Sequence, residues 1–71
     1  MARYCVNKNA QSGSRDHEVH NLDANCSYLP VPVNRTDLGS HASCTSAVRE
    51  AKRYYSDVNG CRWCAPACHT S

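Results

Sequence analysis

Six cysteines and four histidines are spread along a chain of 71 residues that has little else from which to build a core. The large aliphatic side chains are six Val and three Leu, with no Ile and no Phe. Nine in 71 lies well under the ~20% below which a chain counts as poor in core formers. A small chain also buries a small share of its surface, so one this polar is held together by disulfides or by a structural metal. Disorder is the other outlet for such a composition, but a formal net charge of +2 does not favour it. The length allows one domain, residues 1–71, and the composition excludes a large catalytic domain, a coiled coil and a membrane span.

After the early Arg3 no apolar stretch of seven or more residues follows, so no secretory signal is visible and a cytoplasmic location is expected. In the cytosol thiols stay reduced, and clustered Cys bind metal more often than they pair.

Local patterning divides the chain. Arg3 to Lys8 alternates, with Tyr4 and Val6 on one face and Cys5 on the other, which predicts a half-buried strand. Asn9 to Asp16 is a polar turn containing Gly13, and His17-Glu18-Val19-His20 predicts a second strand, antiparallel to the first. Leu22 to Asp37 is expected to be irregular because Pro30 and Pro32 cannot sit in a central strand; its Leu29–Val33 stretch is expected to lie extended against the core. Cys44, Ala47, Val48, Ala51 and Tyr55 form one apolar stripe at helical spacing and predict a helix from Cys44 to Asp57. Ser43 is its expected cap and Asn59-Gly60 its expected stop.

Cys61-x-x-Cys64 follows that turn signal, the spacing at which two thiolates reach one ion while turn N–H groups bond to their sulfurs. The complementary half is His20-x5-Cys26, where one residue closes a strand and the other lies in the next loop. The expected centre is therefore Zn2+ held by His20, Cys26, Cys61 and Cys64, with His17, His69 and Cys68 competing for the fourth position. Cys44 reads as a small buried hydrophobe, as a disulfide partner of Cys68, or as a member of a second site with His41, Cys68 and His69. Three zinc thiolates leave Cys5, Cys44 and Cys68, so at most one disulfide can form, and Cys5 is expected to pack within its strand.

The order His20, Cys26, an Ala-rich helix with Ala47 and Ala51, then Gly60-Cys61-x-x-Cys64 resembles the zinc-binding domain of Ada-type DNA-repair proteins and related small bacterial modules. The resemblance covers about residues 17 to 64. It implies a small zinc-bound fold. It also implies that alkyl transfer is absent, because His20 stands where those domains carry the methyl-accepting thiolate.

The fold expected is α+β: a short β-hairpin or sheet, one main helix and a zinc knuckle. No base beside a nucleophile and no phosphate loop is recognisable, so no enzymatic activity is expected and the chain reads as an interaction module for a protein. Three other readings compete. One is a secreted scaffold with three disulfides. Another is a redox protein using Cys61 and Cys64. The third is a nucleic-acid reader using Arg49, Lys52, Arg53, Arg62 and Trp63, whose bland counterpart is a solvated helix face with Trp63 shielding the metal.

Overall fold

The computed structural model describes residues 1–11, 13 and 15–70. Four strands and one helix follow in the order β1 (Ala2–Asn7), β2 (His17–Asn21), β3 (Arg35–His41), α1 (Cys44–Ala51) and β4 (Val58–Gly60), with 3-10 turns at Pro32–Asn34 and Pro66–Cys68. The sheet order is β3-β1-β2-β4. β1 and β2 form the expected antiparallel pair, with Cys5 opposite His20 and Val6 opposite Val19. Directly opposed residues share a face, so this register puts Val6 and Val19 on one side of the sheet and Cys5 and His20 on the other.

The first side carries the apolar core. Tyr4, Val6, Val19 and Leu38 from the sheet meet Cys44, Ala47 and Ala51 from α1, with Ala65 closing the cluster. Alanines at the contact let the helix backbone approach closely, which is how a chain with so few large apolar side chains still excludes water there. Leu38 reaches this face through a bulge: the β1–β3 register shifts between Tyr4 and Cys5, and Gly39 beside it has φ +79°. Only glycine adopts that angle at little cost.

Several local expectations are corrected. α1 ends at Ala51, not Asp57; Lys52 to Tyr54 continue as turns, and Tyr55 leaves the helix to stack on His17, ring centroids 3.7 Å apart. Ser43 makes no side-chain cap bond; it accepts one at its carbonyl from the Ser46 hydroxyl. The stretch expected to be irregular up to Asp37 gives way to β3 at Arg35, and Val31 and Val33 face solvent instead of the core. Asn59-Gly60 is no stop signal. These residues lie in β4, which pairs parallel with β2.

The reason for Gly60 is close packing. A Cβ there would sit 2.7 Å from the Cys68 Cβ, 2.8 Å from the Cys68 carbonyl carbon and 2.9 Å from the Ala65 oxygen. The C-terminal turn lies directly on β4 and is tied to α1 by a disulfide between Cys44 and Cys68. That bridge spans 24 residues. A loop of this size contributes on the order of 3 kcal/mol by restricting the unfolded chain.

Gly60→Ala is expected to cost about 1–3 kcal/mol, because the neighbours it meets are largely backbone and cannot swing away. Arg53→Ala, at a side chain 75% exposed with only a 3.5 Å contact to Glu50, should change stability by no more than ~0.5 kcal/mol. Chemical denaturation of both variants measures the contrast; equal losses would refute the packing assigned to Gly60.

Candidate metal centre

On the sheet face opposite α1, β2 delivers His20 and the chain returns twice to meet it. Asn21 to Asn25 form a turn in which the Asn21 side chain accepts from the Asp23 N–H at 2.9 Å and Asn25 takes φ +55°. Asn tolerates that left-handed angle better than most residues, and the reversal brings in Cys26. The second approach comes from β4. Its last ladder bond runs from the Cys61 N–H to the Val19 carbonyl at 2.8 Å, and a turn closed by Ala65 N–H to Cys61 O at 2.9 Å carries Cys64 inward.

The four expected residues converge. One donor atom from each of His20, Cys26, Cys61 and Cys64 lies within 4.8 Å of the others. Cys26 Sγ and Cys61 Sγ are 3.8 Å apart, and His20 Nδ1 is 3.4 Å from Cys64 Sγ. A tetrahedral ion with Zn–S near 2.3 Å and Zn–N near 2.0 Å sets edges of about 3.8 Å between sulfurs and about 3.5 Å between sulfur and nitrogen. The two spacings therefore match an ion-sized centre, and the four residues could hold a metal.

The surroundings suit thiolates. Each sulfur accepts a backbone N–H: Cys64 from Asn21 at 3.2 Å, Cys26 from Tyr28 at 3.4 Å and Cys61 from Trp63 at 3.4 Å. Such bonds spread the charge of a metal thiolate and fix its direction. Without a cation, the burial that surrounds Cys64 pushes its thiol well above the ordinary range. His20 is fully buried, and burial, reinforced by the Arg35 charge, lowers its pKa to about 4, so the imidazole stays neutral as a metal ligand must. Its Nε2 is buried with no hydrogen-bond partner, and the nearest acid, Glu18 Oε1, stands 3.6 Å away. A carboxylate behind the free nitrogen is the usual support of a metal-bound histidine. Glu18 was not singled out from sequence, although its i, i−2 position on the same strand places it on the face of His20.

The competing residues lie elsewhere. His17 Nδ1 donates to the Asn7 carbonyl at 2.9 Å, and His69 Nδ1 donates to the Gly60 carbonyl at 3.1 Å. Cys68 is bonded to Cys44, which removes both from the second site considered with His41 and His69. His41 Nε2 instead donates to the Leu38 carbonyl at 2.7 Å, with Ser46 Oγ 3.0 Å from Nδ1. Cys5 is a free, fully buried thiol in β1, held at a pKa of about 11 chiefly by burial. Trp63, read from sequence as a shield for the metal, has its ring at the surface. It is 62% exposed, stacks on Tyr28 with centroids 5.7 Å apart, and carries the Arg62 guanidinium 5.4 Å from its ring. No helix among the described residues is long and apolar enough to cross a membrane.

Comparison with known protein families, with curated proteins and with solved structures gives no match for this chain.

The buried imidazole sets a pH dependence. Its folded pKa of about 4 lies below the ordinary 6.5, so between those values the unfolded chain takes up a proton that the folded one refuses. The stability this contributes is complete above pH 6.5 and is lost as pH falls through about 4. In chemical denaturation the midpoint should fall as pH is lowered through that window, and in a metal-loaded chain the same proton uptake should release the ion. A midpoint that does not change between pH 6.5 and pH 4 would contradict the low pKa assigned to His20.

Proposed function

We propose that His20, Cys26, Cys61 and Cys64 bind one Zn2+ as a closed structural centre, and that the domain is a non-catalytic interaction module whose partner is a protein. The observation that carries this reading is the convergence of three sulfurs and one imidazole nitrogen within 4.8 Å, with a backbone N–H on each sulfur. Thiolate-rich tetrahedral donors select zinc over oxygen-seeking Mg2+ or Ca2+. Four protein ligands leave no position for water or substrate, which is the mark of a structural site. Structural zinc contributes ~10–16 kcal/mol, enough to decide whether so polar a chain folds.

The protein-binding part rests on what the same turns carry outward. Tyr28 lies two residues after Cys26 and Trp63 two after Cys61, and their stacked rings are exposed beside Arg62. Tyr, Trp and Arg are the residues most enriched at the energetic centres of protein interfaces. The Ada-type likeness belongs to the same proposal and rests on the order of His20, Cys26, α1, Gly60, Cys61 and Cys64 along the chain. The redox reading asks for an accessible, low-pKa thiolate, whereas Cys64 is buried and its thiol is shifted upward.

Native mass spectrometry should find one zinc per chain, and chelation should collapse the amide dispersion of the spectrum. Cys64→Ala should lose both the metal and the fold. Because loss of packing alone can also unfold that variant, cobalt substitution of the wild-type chain supplies a second readout: a tetrahedral thiolate spectrum unchanged by added azide. A reduced, metal-free chain that stays ordered and melts as high as the metal-loaded one would overturn the structural role. Rapid alkylation of the loaded protein by iodoacetamide would favour redox chemistry instead.

A further inference from the structure

We propose that the groove between α1 and the C-terminal 3-10 turn binds an acidic segment of a partner protein. This deepens the interaction-module reading and rests on it. The groove has a volume of about 420 Å³ and is lined by Thr45, Val48, Arg49, Lys52, Ala67 and Cys68. That volume is within the range of clefts that hold a ligand side chain or short segment. Positions 45, 48, 49 and 52 recur at i, i+3, i+4 and i+7, so one stripe of α1 and its C-terminal residue forms a continuous wall. The opposite wall is pinned by the Cys44–Cys68 bridge and by the close contact of Gly60 with Cys68, so the groove exists before any partner arrives.

Its chemistry is one-sided. Val48, Ala67 and the bridge sulfur give apolar surface, while Arg49 and Lys52 supply exposed positive charge. Among the described residues neither cation makes an ion pair, whereas Arg3 pairs with Asp37 and Arg53 with Glu50. None of the six acidic residues of the chain lines the groove. Two unneutralised cations beside an apolar strip are complementary to a peptide that alternates carboxylates with apolar side chains. A single-stranded nucleic acid is the weaker fit, because no aromatic ring lines the groove to stack a base; Tyr28 and Trp63 lie in the metal turns.

The test uses the full zinc-loaded chain and a fluorescein-labelled short peptide of alternating Glu and Leu. Fluorescence anisotropy should give saturable binding that weakens with added salt. Amide shifts in the isotope-labelled protein should concentrate at Thr45, Val48, Arg49, Lys52 and Ala67. Arg49→Glu combined with Lys52→Glu should weaken binding roughly tenfold or more. Lys8→Glu combined with Arg15→Glu, which changes net charge equally in the β1–β2 connection, should leave it nearly unchanged.

Equal losses in both double variants would reduce the effect to net charge and overturn the proposal. So would tighter binding of a single-stranded oligonucleotide of matched charge. If a neutral or basic peptide binds and shifts Tyr28 and Trp63 instead, the groove assignment fails while the interaction-module reading stands. If peptides of every charge leave the spectrum unmoved, the groove proposal fails together with the protein-binding reading beneath it.

Discussion

The meeting of one imidazole and three thiols at a common point is the constraint on which the remaining structure depends. His20 lies one residue before the end of a central strand, Cys26 lies in the loop after it, and Cys61 and Cys64 follow the last strand in the chain. Drawing these groups together closes the layer opposite α1, a layer that has almost no apolar side chains of its own. Buried thiols and an imidazole lacking a partner at Nε2 would otherwise be costly contents for that space. The cation proposed for their centre would turn the polarity of the thiols and Nδ1 into cohesion, with Glu18 standing behind Nε2.

The molecule thus has two unlike halves on either side of one small sheet. Toward α1, alanines make up for the scarce Leu and the absent Ile and Phe by letting backbones come close, and the bulge at Leu38 adds one larger side chain. Away from α1, Cys5 and His20 share the other face, and His20 joins Cys26, Cys61 and Cys64. The Cys44–Cys68 bridge sits at the edge of the first half and fastens the chain end across β4, where the absence of a side chain at Gly60 admits the turn. Disulfide and metal donors therefore divide the work between the faces without sharing a cysteine.

The surface follows from this arrangement. The N–H groups that bond to Cys26 and Cys61 belong to Tyr28 and Trp63, so the turns that orient the sulfurs also project an aromatic pair. On the far side the bridge holds an apolar strip beside Arg49 and Lys52. The groove is fixed by the disulfide rather than by a large core, and the aromatic pair by the turns that carry Cys26 and Cys61.

Alternation of side chains determined β1 and β2 and their pairing, and helical spacing determined where α1 begins, because those signals are local. The convergence of His20, Cys26, Cys61 and Cys64 was legible for a similar reason: C-x-x-C spacing and a histidine near a strand end are short-range geometry, and few other donors were available. Tertiary contacts decided the rest. Arg35 to His41 has only Leu38 as an apolar marker and becomes a strand because β1 offers it a ladder. Asn59 and Gly60 look like a turn but lie parallel to β2, a pairing between distant segments that no local pattern encodes. Tyr55 continued the helical stripe, yet its ring stacks on His17 and the helix stops at Ala51, six residues short of Asp57. The choice of Cys44 as the partner of Cys68, left open by spacing, was made by the packing of the C-terminal turn on Gly60, since only the folded chain brings those two sulfurs together.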